Sequence, residues 1–130
     1  MRQFLYSSQY SPGAPVLEIW LGAPGEKAEV GPFEALVDTG ADWTVVPLDY
    51  LKRADAERAS RALLRSQRGE SRPVHLYAVA ITVAQHEFSA PWVVGDELGD
   101  EIVLGRNILN RLRLLLDGPA AAVTVLDDAI

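Results

Sequence analysis

Apolar and polar residues alternate in short runs along most of the chain. The clearest runs are residues 16–21, 29–37, 74–83 and 87–94, and each is bounded by glycine, proline or a polar turn. Alternation with a period of two is typical of strands, because successive side chains of a strand point to opposite faces of its sheet. Residues 102–104 are wholly apolar, as expected for a short buried strand. The pattern therefore predicts a fold made mostly of β-strands.

Helical features are confined to two segments. Pro47 suits the first turn of a helix, and apolar residues recur after it as far as Leu63, so the sequence predicts one helix or two shorter helices between residues 47 and 63. A second short helix is predicted at residues 107–112. The polar stretch 65–73 predicts an exposed loop or a hairpin tip, and residues 114–126 predict a terminal hairpin with its turn at Asp117.

The first fifteen residues have a different composition from the rest. Serine, proline and glycine recur between residues 7 and 15, which favours an irregular N-terminal arm. A chain of 130 residues is typical of one domain with a modest core. We therefore expect an arm over residues 1–15 and one domain over residues 16–130.

The net charge and the composition limit the classes of binding partner and the cellular location that we expect. The net charge of -6 and the pI of about 4.8 disfavour binding to nucleic acid or to an anionic membrane, which would repel the chain. Cysteine is absent, which excludes disulfides and thiolate chemistry. No segment approaches the roughly 18 apolar residues of a membrane helix, and the first ten residues do not resemble a signal peptide. These features predict a cytoplasmic protein.

Metal and cofactor sites are not predicted. The acidic residues between Asp96 and Glu101 lack the spacing of a calcium loop and are expected to be solvated. His75 and His86 have no acidic residue placed to complete a ligand set, and we expect them to be exposed strand or turn residues.

Candidate chemistry lies in residues 35–42, Ala-Leu-Val-Asp-Thr-Gly-Ala-Asp, where Asp38 directly follows an apolar strand. Taken alone, this segment favours a turn in which Asp38 hydrogen-bonds its own backbone. Residues 101–109, Glu-Ile-Val-Leu-Gly-Arg-Asn-Ile-Leu, form a second segment with an apolar strand that ends at glycine. In order and separation, the two segments resemble the two signature motifs of retroviral proteases.

This resemblance implies a mostly β, single-lobe, retropepsin-like closed β-barrel with one or two short helices, acting as a twofold homodimer. Aspartic proteolysis needs two carboxylates that share one proton. Because the sequence contains Asp-Thr-Gly only once, at Asp38, the second carboxylate is expected to come from a second copy of the chain. The implied function is an aspartic endopeptidase that acts on a peptide or protein substrate without a metal or other cofactor.

Site residues follow from the resemblance by motif position. It implies catalytic roles for Asp38, for Thr39, whose hydroxyl reaches across the dimer axis, and for Gly40, whose carbonyl faces the substrate. It places Arg106 in a structural ion pair with Asp42, for which an exposed pair of little energetic weight is the alternative. The substrate-binding residues that it implies are Ala41, Asp42, Trp43, Val45 and Val103. For Trp43, packing in the core is the alternative.

One region departs from the family. Retroviral flaps, the hairpins that close over substrate, are rich in glycine. Residues 64–73 instead contain a single glycine, Gly69, and three arginines, Arg65, Arg68 and Arg72. The arginines suggest a preference for acidic substrates. The departure also favours an alternative function, a non-catalytic dimeric module that binds peptides with the same fold.

Overall fold

A computed structural model describes residues 1–65 and 69–127, which form twelve strands and two short helices. The helices are α1 (Leu48–Arg53) and α2 (Arg106–Leu109), and neither has the length or the apolar character needed to cross a membrane. The strands are β1 (Arg2–Leu5), β2 (Val16–Gly22), β3 (Val30–Val37), β4 (Val45–Pro47), β5 (Glu57–Arg65), β6 (Ser71–Ala78), β7 (Ala80–Val83), β8 (His86–Phe88), β9 (Trp92–Asp96), β10 (Ile102–Leu104), β11 (Leu114–Asp117) and β12 (Ala122–Val125).

The strands form two sheets. Nine of them pair in the order β5-β6-β9-β4-β10-β3-β2-β7-β8, and the remaining three pair in the order β1-β12-β11. Most neighbours are antiparallel, but β10 runs parallel to β3 and β4 runs parallel to β9. The antiparallel pair β2–β3 confirms two strands that the alternating pattern predicts, and the pair β11–β12 confirms the predicted terminal hairpin.

The buried side chains follow the period of two. In β2, Leu17, Ile19 and Leu21 are fully buried, whereas Glu18 between them is exposed. They belong to the main core, to which β7, β10, β12 and both helices also contribute. A smaller apolar cluster lies along the β5–β6 hairpin, where Val74 and Leu76 pack with partners from neighbouring strands. The second cluster supports the hairpin that extends toward the candidate site.

The predicted helix over residues 47–63 is wrong beyond its first turns. Helix α1 ends at Arg53, and Asp55 has a φ of 54°, a left-handed conformation that does not continue a helix. From residue 57 the chain forms β5, in which Ala62 and Leu64 are half-buried and the other residues are exposed. Apolar residues at 59, 62 and 63 mimic helical spacing, but pairing with β6 and burial of alternate residues decide the structure.

The prediction of an irregular arm is wrong for its first residues. Arg2–Leu5 form β1, which pairs antiparallel with β12, and Phe4 packs against the main core. Serine, proline and glycine are concentrated after this strand, so the irregular composition describes only the later part of the arm. That part is also held to the domain, because the Val37 N–H donates a hydrogen bond of 3.0 Å to the Pro15 carbonyl. Burial and a hydrogen bond to Glu101 raise the pKa of Tyr10 to about 12.

Candidate active site

The two sequence motifs lie side by side at the ends of two neighbouring strands in the middle of the large sheet. Strands β3 and β10 are parallel neighbours with Val37 opposite Leu104, so their carboxyl ends meet. Asp38 follows β3 directly, and its backbone N–H donates a hydrogen bond of 3.1 Å to the Leu104 carbonyl. Arg106 begins α2 immediately after β10 and Gly105. The topology thus brings together segments that are far apart in the sequence.

Asp38 lies in a tight turn with a partly exposed side chain. The Gly40 N–H donates to Asp38 Oδ1 at 2.9 Å, and the Ala41 N–H donates to the Asp38 carbonyl at 3.2 Å. This self-bonded turn is the arrangement that Asp38 would also adopt without any catalytic role. It nevertheless fixes the carboxylate, and Oδ2 forms no hydrogen bond with the described residues.

Arg106 binds the same turn at three points. Its guanidinium donates from Nη1 to the Thr39 carbonyl at 2.8 Å and from Nη2 to Asp42 Oδ1, and its backbone N–H donates to the Ala41 carbonyl at 2.8 Å. The predicted pair with Asp42 therefore forms. It is exposed rather than buried, with side-chain exposures of 42% for Arg106 and 70% for Asp42. An exposed pair contributes little to stability, so the contacts of Arg106 matter mainly for the shape of the turn.

A second network joins the motifs through Thr44 and Asn107. The side-chain oxygen of Asn107 accepts hydrogen bonds from the Thr44 N–H at 2.9 Å and from the Thr44 hydroxyl at 2.8 Å. Thr44 Oγ1 in turn accepts from the Gly105 N–H at 3.0 Å, and Asn107 Nδ2 donates to the Trp92 carbonyl at 2.8 Å. Sequence reasoning gave neither residue a role. The signal that it missed was a lone polar Thr44 ahead of apolar strand residues.

Gly105 is required by close contact between the two motifs. A Cβ at this position would lie 2.4 Å from both the carbonyl carbon and the carbonyl oxygen of Trp43. These are backbone atoms, so a larger residue could be accommodated only if β4 and β10 moved apart.

A cavity of about 560 Å³ lies between the turn and the β5–β6 hairpin. Trp43 and Val45, two of the residues that the resemblance implies for substrate binding, line it, and Trp43 is 36% exposed, which disfavours simple core packing. Val103 pairs with Val45 across β10 and β4 but is not among the described residues that line the cavity. Arg68 lies outside the described residues. The lining residues are Gly40, Ala41, Asp42, Trp43, Val45, Leu64, Arg65, Glu70, Ser71 and Arg72.

Solved structures share this fold at low sequence identity. EIAV protease, solved in complex with the inhibitor HBY-793, has a TM-score of 0.61 and 18% identity, and the match covers 83% of this chain and 93% of that one. A retropepsin-like aspartic protease from Rickettsia conorii has a TM-score of 0.57 and 12% identity, with coverages of 97% and 99%. The retroviral protease-like domain of Ddi1 from Leishmania major has a TM-score of 0.51 and 17% identity, with coverages of 89% and 90%.

A family assignment comes from the sequence itself. A search of the curated proteins finds no similar sequence. The sequence profile described as "gag-polyprotein putative aspartyl protease" matches residues 25–111, which include both motifs and most of the large sheet. The match spans more than half of the chain, and the neighbouring structures confirm the predicted mostly β, retropepsin-like fold. The chain therefore belongs to the retropepsin-like aspartyl protease family.

Proposed function

We propose that this chain is one half of a homodimeric aspartic endopeptidase in which two copies of Asp38 activate water for peptide hydrolysis. The observation that carries the proposal is the position of Asp38, which lies in a turn fixed by β10 and Arg106 and presents a partly exposed carboxylate. Asp-Thr-Gly occurs once in the sequence, so a catalytic pair requires two chains.

The chemistry follows from the pairing of two carboxylates. Two such groups about 3 Å apart cannot both ionise, so they hold one proton between them. The ionised carboxylate takes a proton from water, and the protonated one donates to the scissile carbonyl. The Gly40 N–H on Oδ1 holds each carboxylate in place within its own chain. Thr39 is exposed, which leaves its hydroxyl accessible to the partner turn across the twofold axis.

Substrate side chains would occupy the cavity beside the turn. Its lining residues Ala41, Trp43 and Val45 lie a few positions after Asp38 in the sequence, and Gly40 presents its backbone at the same surface. The apolar faces of Trp43 and Val45 favour burial of apolar substrate atoms, at about 25 cal/mol per Å². Val103 pairs with Val45 but does not belong to the described lining of the cavity, so it would contact the substrate only if the substrate bound against the end of β10.

Peptidase activity should depend on protein concentration if two chains share the site. On dilution below the dimer dissociation constant, activity per milligram should fall, because only dimers contain the carboxylate pair. The measurement combines initial rates over a dilution series with the dissociation constant from analytical ultracentrifugation. Constant activity per milligram far below that constant would contradict the shared site.

Substitution Arg106→Ala should separate activity from stability. Loss of an exposed ion pair should lower the free energy of unfolding by about 1 kcal/mol or less. Peptide hydrolysis should fall about 10- to 100-fold, because the turn that positions Asp38 loses its hydrogen bond at the Thr39 carbonyl. Arg113→Ala, which removes another exposed arginine, is the matched control. Unchanged hydrolysis in the Arg106 variant would show that the turn keeps its shape without the guanidinium.

A further inference from the structure

The register of the β5–β6 hairpin places one arginine on its inner face. Val74 and Leu76 of β6 are buried in the smaller apolar cluster, so alternate residues of β6 face inward. Arg72 is the next residue in this series. It pairs with Leu64, which packs on the same cluster, just as Val74 pairs with Ala62. The inward row therefore ends in a guanidinium where the pattern would otherwise place an apolar side chain.

This arginine lines the cavity beside the candidate catalytic turn. Trp43, Val45 and Leu64 provide apolar surface in the same cavity. A ligand side chain there would meet apolar atoms first and a positive charge at the hairpin. This combination suits a side chain with a short aliphatic stem and a terminal carboxylate.

The charges around the cavity favour an acidic ligand. Asp42 is already paired with Arg106, which leaves Glu70 as the acidic lining residue opposed by Arg65 and Arg72. Neither of these two arginines forms an ion pair with the described residues. The chain as a whole has a net charge of -6, so it would repel a strongly acidic peptide at long range. The local charge therefore favours a single acidic residue in an otherwise neutral peptide.

We propose that Arg72 determines specificity by selecting peptides with glutamate at the position that enters this cavity. The proposal rests on the proposed function, because it takes the cavity as a substrate pocket. The glutamate methylenes would pack on Trp43 and Val45, and its carboxylate would accept hydrogen bonds from the Arg72 guanidinium. Arg72 acts on binding and not on the bond that is cleaved.

Arg61 provides a matched control on the same hairpin. It pairs with His75, so it lies on the outer face of the hairpin, and it is exposed as Arg72 is. Arg61 and Arg72 both border a second cavity of about 320 Å³, which also contains Glu97, but only Arg72 lines the first. Arg61→Glu and Arg72→Glu therefore change the net charge equally while only one of them changes the candidate pocket.

The test uses fluorescent peptides that are uncharged apart from one variable position, which holds glutamate, glutamine or lysine. The variable position is moved along the peptide from one set to the next. Binding is measured by anisotropy with the Asp38→Asn protein, and cleavage is measured with the protein that retains Asp38. At one position we expect glutamate to be preferred over glutamine about five-fold. Arg72→Glu should reverse this preference toward lysine, Arg61→Glu should retain it, and added salt should weaken it.

The outcomes separate the two proposals. Equal binding of the three peptides at every position, no measurable binding, or the same change of preference in both arginine variants would overturn the role of Arg72. Preferential glutamate binding that depends on Arg72, without any cleavage, would support the specificity proposal and count against the endopeptidase. Melting temperatures of both variants verify that the altered preference comes from folded protein.

Discussion

Replacement of Asp38 with asparagine should reduce peptide hydrolysis about 100- to 10,000-fold, the range that general acid–base catalysis contributes. The amide cannot ionise, so it cannot take a proton from water or share one with its counterpart. Its oxygen still accepts a hydrogen bond, so the contact with the Gly40 N–H and the shape of the turn should persist. The measurement is the rate of cleavage of a peptide library, with melting temperature as the check on folding.

Asp49→Asn is the control for loss of one carboxylate. Asp49 is an exposed residue of α1 and lies outside the cavity that borders the turn. Its substitution should leave hydrolysis unchanged. Equal activity of the Asp38 variant and the unsubstituted protein would exclude aspartic catalysis at this turn. Peptide binding without cleavage by the unsubstituted protein would instead support the non-catalytic peptide-binding alternative.

Subunit mixing extends the same prediction. After random exchange in an equimolar mixture of unsubstituted and Asp38→Asn subunits, about one quarter of all dimers should contain both aspartates. Only these dimers are active if each site needs Asp38 from both chains. Activity should therefore fall to about one quarter of that of the unsubstituted protein at the same total protein concentration. A decrease only to one half would indicate that each chain carries its own independent site.

Much of the large sheet could be predicted from the sequence because its strands bury alternate residues. In β2 and β3 the period of two is visible in the sequence and in the burial of the side chains. Strand β5 shows where this reasoning fails. Its residues are mostly exposed, so few apolar positions record its period, and its pairing with β6 is a long-range contact that no local pattern encodes.

The sequence predicted the motifs of the candidate site, but not the exposure of its ion pair or the hydrogen bonds that join the two motifs. Asp38, Asp42 and Arg106 stand in recognisable segments, and the parallel pairing of β3 with β10 brings them together. The exposure of the Asp42–Arg106 pair depends on what covers it, which a motif does not specify. The roles of Thr44 and Asn107 were missed for a related reason, because a hydrogen bond across 63 positions of sequence leaves no spacing pattern.

Asn107→Ala should be the most destabilising substitution of a polar residue at the site, with a loss of about 2–6 kcal/mol of unfolding free energy. Thr44 is fully buried, and the substitution removes the acceptor for both its N–H and its hydroxyl. Each buried polar group left without a partner costs about 1–3 kcal/mol. Such a loss is a large part of the roughly 5–15 kcal/mol typical of a domain.

Urea denaturation of Asn107→Ala, Asn107→Asp and Asn110→Ala would measure this effect through the shift in midpoint. Aspartate keeps an acceptor for Thr44 but loses the donor to the Trp92 carbonyl, so its midpoint should lie between those of the alanine variant and the unsubstituted protein. Asn110 is exposed at the end of α2 and should tolerate alanine with little change. If Asn107→Ala and Asn110→Ala unfold at the same urea concentration, the link between the two motifs does not depend on Asn107. In that case the backbone contacts of Asp38 and Arg106 hold the turn by themselves.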